Sequence, residues 1–381
     1  MEIAKGLAGI VIDESRNSFV DGEKGLLVYQ GYNIHDLAKH STFEETVFLL
    51  WNGYLPTKHQ LDEFSKRLAK HRPLPQGLLD CMGHWPKEAH PMDILRTAVS
   101  ALGNMGGQKE APSVEEQIET SLDLTAGFAS ILASWVRIRN GEELVEPDMD
   151  LSHAGNFLWM MRGEKPNATA ERVMDMALVL HADHGFNAST FSGRVTASTL
   201  SDVYSAVTAA IGTLKGPLHG GANMRVMEML EEIGSPEKAE QYILDKLAKK
   251  ERIMGFGHRV YKTMDPRAEE LSKVVKDLGE AAGDTHWYDI SQVIESVMMR
   301  EKGLNPNVDF YSASTYYVLG IPIDLYTPIF ALSRIAGWSA HIMEQLADNK
   351  LIRPRAKYIG PMDLEYVPIG DREEPAQLAS A

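Results

Sequence analysis

The sequence has 381 residues, 38 Lys and Arg against 53 Asp and Glu, and a formal net charge of −15. That length implies about two domains or one large one, and the acidic balance argues against broad binding to nucleic acid or to an anionic membrane. No apolar run approaches the ~20 residues that span a bilayer, Met1–Gly9 lacks a basic segment followed by an apolar stretch, and the single Cys81 has no partner for an internal disulfide, so the cytoplasm is the expected setting.

In chain order, Gly25–Tyr29 reads as a short strand, and little else alternates with period two. Thr57-Lys58-His59-Gln60 is a capping box ahead of Leu61, Phe64 and Leu68 at helical spacing. Val173–Leu180 is an apolar helical run that leads into His181-Ala182-Asp183-His184. Glycine-rich turns at Gly216-Pro217-Leu218-His219-Gly220-Gly221 and Gly255-Phe256-Gly257-His258 each set a histidine at a tight bend, suited to a hinge or to close approach of a ligand. Ser235-Pro236 and Asp265-Pro266 are helix starts with proline in the first turn. From about Ile323 to His341 runs a second apolar helix, and helices without a polar face are buried in a large core or an interface. The tail after Arg372 reads as frayed. The pattern predicts an all-α protein.

Charged groups in this frame need partners. Arg334 lies inside the second apolar helix, where a guanidinium costs several kcal/mol unless paired. It either meets a core acid or forks onto a substrate carboxylate. Arg267, in the first turn after Asp265-Pro266, opposes the helix dipole; it is either a tolerated surface arginine or one aimed at an anion. Arg353-Pro354-Arg355 is a third basic element. His219 and His258 are candidates for proton transfer near neutral pH. Asp309, between the apolar Val308 and Phe310, is either a base with a raised pKa or an acceptor in a turn. If the helix continues past Leu180, His181 and His184 share a face at i, i+3, a spacing that suits a metal. There is no P-loop, and Gly255-Phe256-Gly257 lacks the rest of a dinucleotide fingerprint. Physical chemistry alone stops at acid/base work on a small polyanion, held by a local arginine cluster that can outweigh the screened global charge.

The motifs resemble those of the citrate synthase family. They are Leu180–His184 with Asn187-Ala188-Ser189-Thr190, Gly216–Asn223, Gly255–Tyr261, Asp265-Pro266-Arg267, Asn307–Ser312 and Arg353-Pro354-Arg355, with Asp21–Gly25 and Tyr29–Tyr32 early in the chain. The likeness runs from about Gly6 to Gly360. It implies an all-helical homodimer, with residues 1–218 and 321–381 in a large domain and 219–320 in a small domain that closes over the substrates. By the same resemblance, Asp309 takes a methyl proton from acetyl-CoA, His219 donates to the thioester oxygen, and His258 protonates the ketone of oxaloacetate. His184, Arg267 and Arg334 bind oxaloacetate, joined by Arg353 from the partner subunit. Arg252, Ile253, Met254, Gly255 and Phe256 lie along coenzyme A, with Arg355 at its phosphates. Acetyl-CoA is then a co-substrate, with no permanent cofactor and no metal.

Three rivals stand beside that expectation. A 2-methylcitrate synthase uses propionyl-CoA with the same residues; Phe186–Phe191 and Tyr326-Thr327-Pro328 are reminiscent of that branch, while His258-Arg259 leans toward citrate. A metal-dependent hydrolase built on His181, Asp183 and His184 is the second, and a non-catalytic helical carboxylate binder the third.

Overall fold

A computed structural model describes residues 3–7, 9–106 and 112–372. The tail predicted to fray lies outside the described residues. A small antiparallel sheet comes first: β1 (Ser18–Asp21), β2 (Leu26–Tyr29) and β3 (Tyr32–Asn33), with Asp21 opposite Leu26 and Tyr29 opposite Tyr32. The predicted strand is therefore the middle one of three.

Among the described residues sixteen α-helices follow. They are α1 (Ile34–His40), α2 (Phe43–Asn52), α3 (Lys58–Lys70), α4 (Gln76–Gly83), α5 (Pro91–Met105), α6 (Val114–Asn140), α7 (His153–Arg162), α8 (Ala168–His181), α9 (Ala188–Ser198) and α10 (Val203–Leu214). The remainder are α11 (Ala222–Ile233), α12 (Pro236–Ala248), α13 (Pro266–Ala282), α14 (His286–Lys302), α15 (Val308–Val318) and α16 (Tyr326–Ala347). None is long and apolar enough to cross a membrane.

The predicted starts are present. Thr57 and Gln60 form the reciprocal capping box of α3, and Pro236 and Pro266 open α12 and α13. Ser235 makes no side-chain cap bond, whereas Asp265 accepts the N–H of Arg267. The second apolar run becomes α16, which packs against α2, α5, α6, α8, α9, α10 and α11 and buries Trp338, Leu332 and Ile335. A helix enclosed on all sides has no use for a polar face, which explains its composition. The other apolar run is α8, and it ends at His181. Helices α11 to α15 pack largely on one another and reach the rest of the chain through α1, α8 and α16. Their meeting line with the larger group of helices contains the site.

Candidate active site

A cavity of about 610 Å³ is lined by β1, the turns at 184–188 and 218–219, the 257–260 loop and the first turns of α13 and α15. His184, His219, His258, Arg267, Asp309 and Arg334 all face it. Six predicted residues, each on a different segment with Arg334 on α16, thus meet at one place.

His219 sits in the turn between α10 and α11. The first turn of α9 has unsatisfied N–H donors, as every helix start does. Asn187 caps one, accepting the N–H of Thr190 at 3.1 Å, and the N–H of Ser189 goes to Nε2 of His219 at 3.2 Å. An N–H can only donate, so Nε2 is the acceptor and the ring proton resides on Nδ1. Burial, reinforced by the charge of Arg334, lowers the His219 pKa to about 4. The ring is a neutral donor at physiological pH.

His258 has the opposite tautomer. Its Nδ1 accepts the N–H groups of Val260 at 3.0 Å and Tyr261 at 3.1 Å, which leaves the proton on Nε2. Burial and then Arg267 lower its pKa to about 4. His184 donates to or accepts from the hydroxyl of Tyr261 at 3.1 Å, and its ring centroid is 5.3 Å from that of His258.

Asp309 lies in the first turn of α15, capped by Asn307, whose Oδ1 accepts the Asp309 N–H at 3.0 Å. The Nδ2 of Asn307 donates to the carbonyl of Gly257 at 2.9 Å, so one side chain ties the start of α15 to the loop that carries His258. Burial raises the Asp309 carboxyl to about 6, against the opposing pull of Arg267. Among the described residues its carboxylate has no hydrogen-bond partner.

The two arginines are held differently. Arg267 is buried in a bidentate pair with Asp265: Nε to Oδ1 at 3.0 Å and Nη2 to Oδ2 at 2.8 Å. Burial disfavours the cation, but Asp265 outweighs it and the net shift is upward. Oδ2 of Asp265 also accepts the N–H of Val308 at 3.1 Å, which links Arg267 to the start of α15. The first-turn cation is thus neutralised by its own N-cap residue, a partner that sequence reasoning did not assign. Arg334 donates Nε to the carbonyl of His181 at 2.7 Å and lies 4.5 Å over the ring of Phe330. Its Nη2 is buried without a partner, and no carboxylate among the described residues is within ion-pair distance. Burial, partly offset by Asp183, lowers its pKa to about 10, so it stays charged at pH 7. A buried cation with an unused donor facing a cavity is a receptor for an anion.

The remaining predicted residues lie elsewhere. Ile253 is buried, Arg252 is exposed, and residues 252–256 do not line the cavity. Gly255 has φ +81°, and a Cβ there would lie 2.9 Å from Cβ of Phe310; its carbonyl accepts the N–H of Asn307 at 2.9 Å. This segment therefore braces α15. Arg353 and Arg355 are exposed on the non-helical C-terminal segment, away from the cavity of this chain. His181 and His184 do not share a helix face, because α8 ends at His181. The Nδ1 of His181 bonds the carbonyl of Ala177 at 2.7 Å, while His184 turns to the cavity. The one cluster of potential metal ligands among the described residues is His35, Glu269 and Glu270, and Lys273 already pairs with both glutamates. The missed residues are Asp265, Ser189, Tyr261 and Asn307. Asp265 and Asn307 had a legible signal, an Asp or Asn at a helix start, whereas Ser189 and Tyr261 had none.

A sequence model of the family described as "Citrate synthase, C-terminal domain" matches residues 6–355. The chain belongs to the citrate synthase family. It is 53% identical to the citrate synthase of Haloferax volcanii, with 97% of this chain and 99% of that one covered. It is 42% identical to 2-methylcitrate synthase 1 of Corynebacterium glutamicum, covering 97% and 99%. A solved ternary complex of carboxymethyl coenzyme A and oxaloacetate with the citrate synthase of Thermoplasma acidophilum matches with a TM-score of 0.91, 34% identity and coverage of 97% and 100%. The all-α expectation holds, and the chain is an enzyme of the kind that forms a carbon–carbon bond by acyl transfer.

Proposed function

We propose that the chain condenses acetyl-CoA with oxaloacetate and hydrolyses the product thioester to citrate and coenzyme A. The single observation that carries this reading is the unpaired Arg334 guanidinium facing the same cavity as the free carboxylate of Asp309. Arg267, Arg334 and His184 take the carboxylates and carbonyl of oxaloacetate. Asp309 removes a proton from the carbon next to the thioester carbonyl. The charge that develops on the thioester oxygen is met by the Nδ1–H of His219, a neutral donor already in place. The enol carbon bonds to the ketone carbon of oxaloacetate, and the ketone oxygen takes a proton from Nε2 of His258. Water then cleaves the C–S bond, giving a carboxylate and a thiol.

The segment 252–256 and Arg355 serve coenzyme A. Residues 219–320 form a small domain that closes on the remainder, 1–218 and 321–381, after oxaloacetate binds, excluding water until condensation. A homodimer completes the site with Arg353 from the partner. In support, the C-terminal segment of the single chain leaves Ile359 89% and Tyr366 81% exposed, together with Leu351, Met362, Leu364 and Ile369. An apolar surface of that extent is usually covered.

The test is thiol release from acetyl-CoA, which should require oxaloacetate. Relatives named 2-methylcitrate synthase make propionyl-CoA the informative competitor, since one methylene discriminates by only about 1–3 kcal/mol. A higher kcat/KM for acetyl-CoA is expected, and a clear propionyl preference would overturn the acyl assignment.

A further inference from the structure

The turn Asp21-Gly22-Glu23-Lys24-Gly25, between β1 and β2, has no place in the chemistry above, yet it touches the loop that carries His258. The carbonyl of Gly22 accepts the N–H of Lys262 at 2.9 Å. A Cβ on Gly22 would fall well inside van der Waals distance of the Val260 carbonyl. On Gly25 it would lie 2.8 Å from Oγ1 of Thr263 and 3.0 Å from the carbonyl of Met264. At Gly22 every such neighbour is backbone, with no side chain that can swing away. The tip is itself shaped, because Oδ1 of Asp21 accepts the N–H groups of Glu23 and Lys24, both at 3.1 Å.

The contacted loop is the one that wraps the imidazole. Val260 gives its N–H to Nδ1 of His258 and turns its carbonyl to Gly22. Tyr261 gives the second N–H to Nδ1, and Lys262 gives its own to Gly22. The peptide between Val260 and Tyr261, which supplies one of those N–H groups, thus turns its carbonyl to the hairpin, and the next peptide along the loop is hydrogen-bonded to it through Lys262.

We propose that Gly22 is a positioning residue for His258: the backbone clasp between the β1–β2 turn and residues 260–262 holds the loop so that the Nε2–H of His258 is aimed into the cavity. This rests on the reading of His258 as the acid. A hairpin in the first 30 residues, remote in sequence from every reacting group, thereby takes part in the catalytic geometry.

The test is a double-mutant cycle on the full-length enzyme. Gly22→Ala should lower kcat by about tenfold or more, the scale expected when a reacting group is displaced by a fraction of an ångström to 1 Å. It should add nothing further in a His258→Ala background, because the residue through which it acts is gone. Lys24→Ala, at the same tip but with a side chain 78% exposed, should leave kcat unchanged. The 15N spectrum of His258 should lose its single Nε2–H tautomer in Gly22→Ala, a change that simple loss of stability does not produce. An unchanged kcat in Gly22→Ala, or losses that add in full to those of His258→Ala, overturns the proposal. If His258→Ala itself keeps its kcat, the role of His258 falls and this inference with it; if only Gly22→Ala is silent, the inference alone falls. Amide exchange at Lys262 in the wild type is independent of how the variant folds. Protection with both substrates bound is expected, and exchange at the rate of an open loop overturns the clasp.

Discussion

Nε2 of His219 meets both the backbone N–H of Ser189, at 3.2 Å, and its hydroxyl, at 2.9 Å, and the N–H, which can only donate, makes Nε2 an acceptor. It leaves the proton on Nδ1 and, with burial, keeps the ring neutral. His258 is held in the other tautomer by two N–H groups of its own loop. In the proposed mechanism, two neutral imidazoles of opposite tautomer beside a carboxylate whose pKa is raised divide the proton traffic without competing for one charge state.

The first consequence is in the pH profile. In its proposed role as base Asp309 works only when ionised, and its folded pKa is raised to about 6. The value of kcat/KM should be full well above pH 6 and fall with unit slope as pH drops through about 6. The histidines, lowered to about 4, should not contribute to that limb. A steady-state profile from pH 5 to 8 checks this, and 15N NMR at pH 6 should find His219 as Nδ1–H and His258 as Nε2–H.

Replacing Asp309 should separate chemistry from binding. Asp309→Asn keeps the shape and removes the base, so kcat should drop by about 10²–10⁴. Oxaloacetate affinity, measured by calorimetry, should change by no more than a few-fold, because Arg267 and Arg334 are intact.

The arginines should respond in opposite ways. Arg267→Leu strands the buried Asp265 and should cost about 3–5 kcal/mol of stability in addition to binding. Arg334→Leu strands no carboxylate and removes a cation that burial disfavours. Its melting temperature should stay level or rise, while oxaloacetate binding weakens by about 2–5 kcal/mol. Paired melting curves and titrations on the two variants distinguish these outcomes.

Arg353 gives the test of the shared site. Arg353→Ala and Asp309→Ala homodimers should each be nearly inactive. A mixed dimer carries one site with Asp309 from one subunit and Arg353 from the other, so about half of wild-type turnover per mixed dimer should return on mixing. No recovery in verified mixed dimers places Arg353 in its own subunit's site or in none.

Burial of the Asp183–His341 pair beneath the 182–185 turn sets a further pH window. The imidazole and the carboxylate lie 3.2 Å apart, with His341 raised and Asp183 lowered despite burial. Stability from the raised histidine is complete below its unfolded pKa and fades as pH rises through the folded one; that from Asp183 is complete above its unfolded pKa and fades in acid. His341→Leu should therefore destabilise across the neutral range by about 3–5 kcal/mol, and Asp183→Asn in the same chain should restore part of it. Denaturant melts of the single and double variants read this directly.

The sequence alone carried the helices, because apolar periodicity and caps such as Thr57–Gln60 and Asp265-Pro266 are local signals. It carried the buried placement of Arg334 too, since a charge inside a helix with no polar face has nowhere exposed to go. Through resemblance it also named the residues that meet at the cavity. What it did not carry was their state. Arg267 pairs with Asp265 and His258 is held by Val260 and Tyr261, neighbours in the chain whose approach depends on how the loop folds, whereas the His219 tautomer and the raised Asp309 carboxyl depend on groups distant in sequence: Ser189 for His219 and the buried wall around Asp309. Helix periodicity is written in neighbours three and four residues apart, whereas tautomers and pKa values are set by whatever the fold brings within about 3 Å. The tertiary structure alone brought the first hairpin onto the His258 loop.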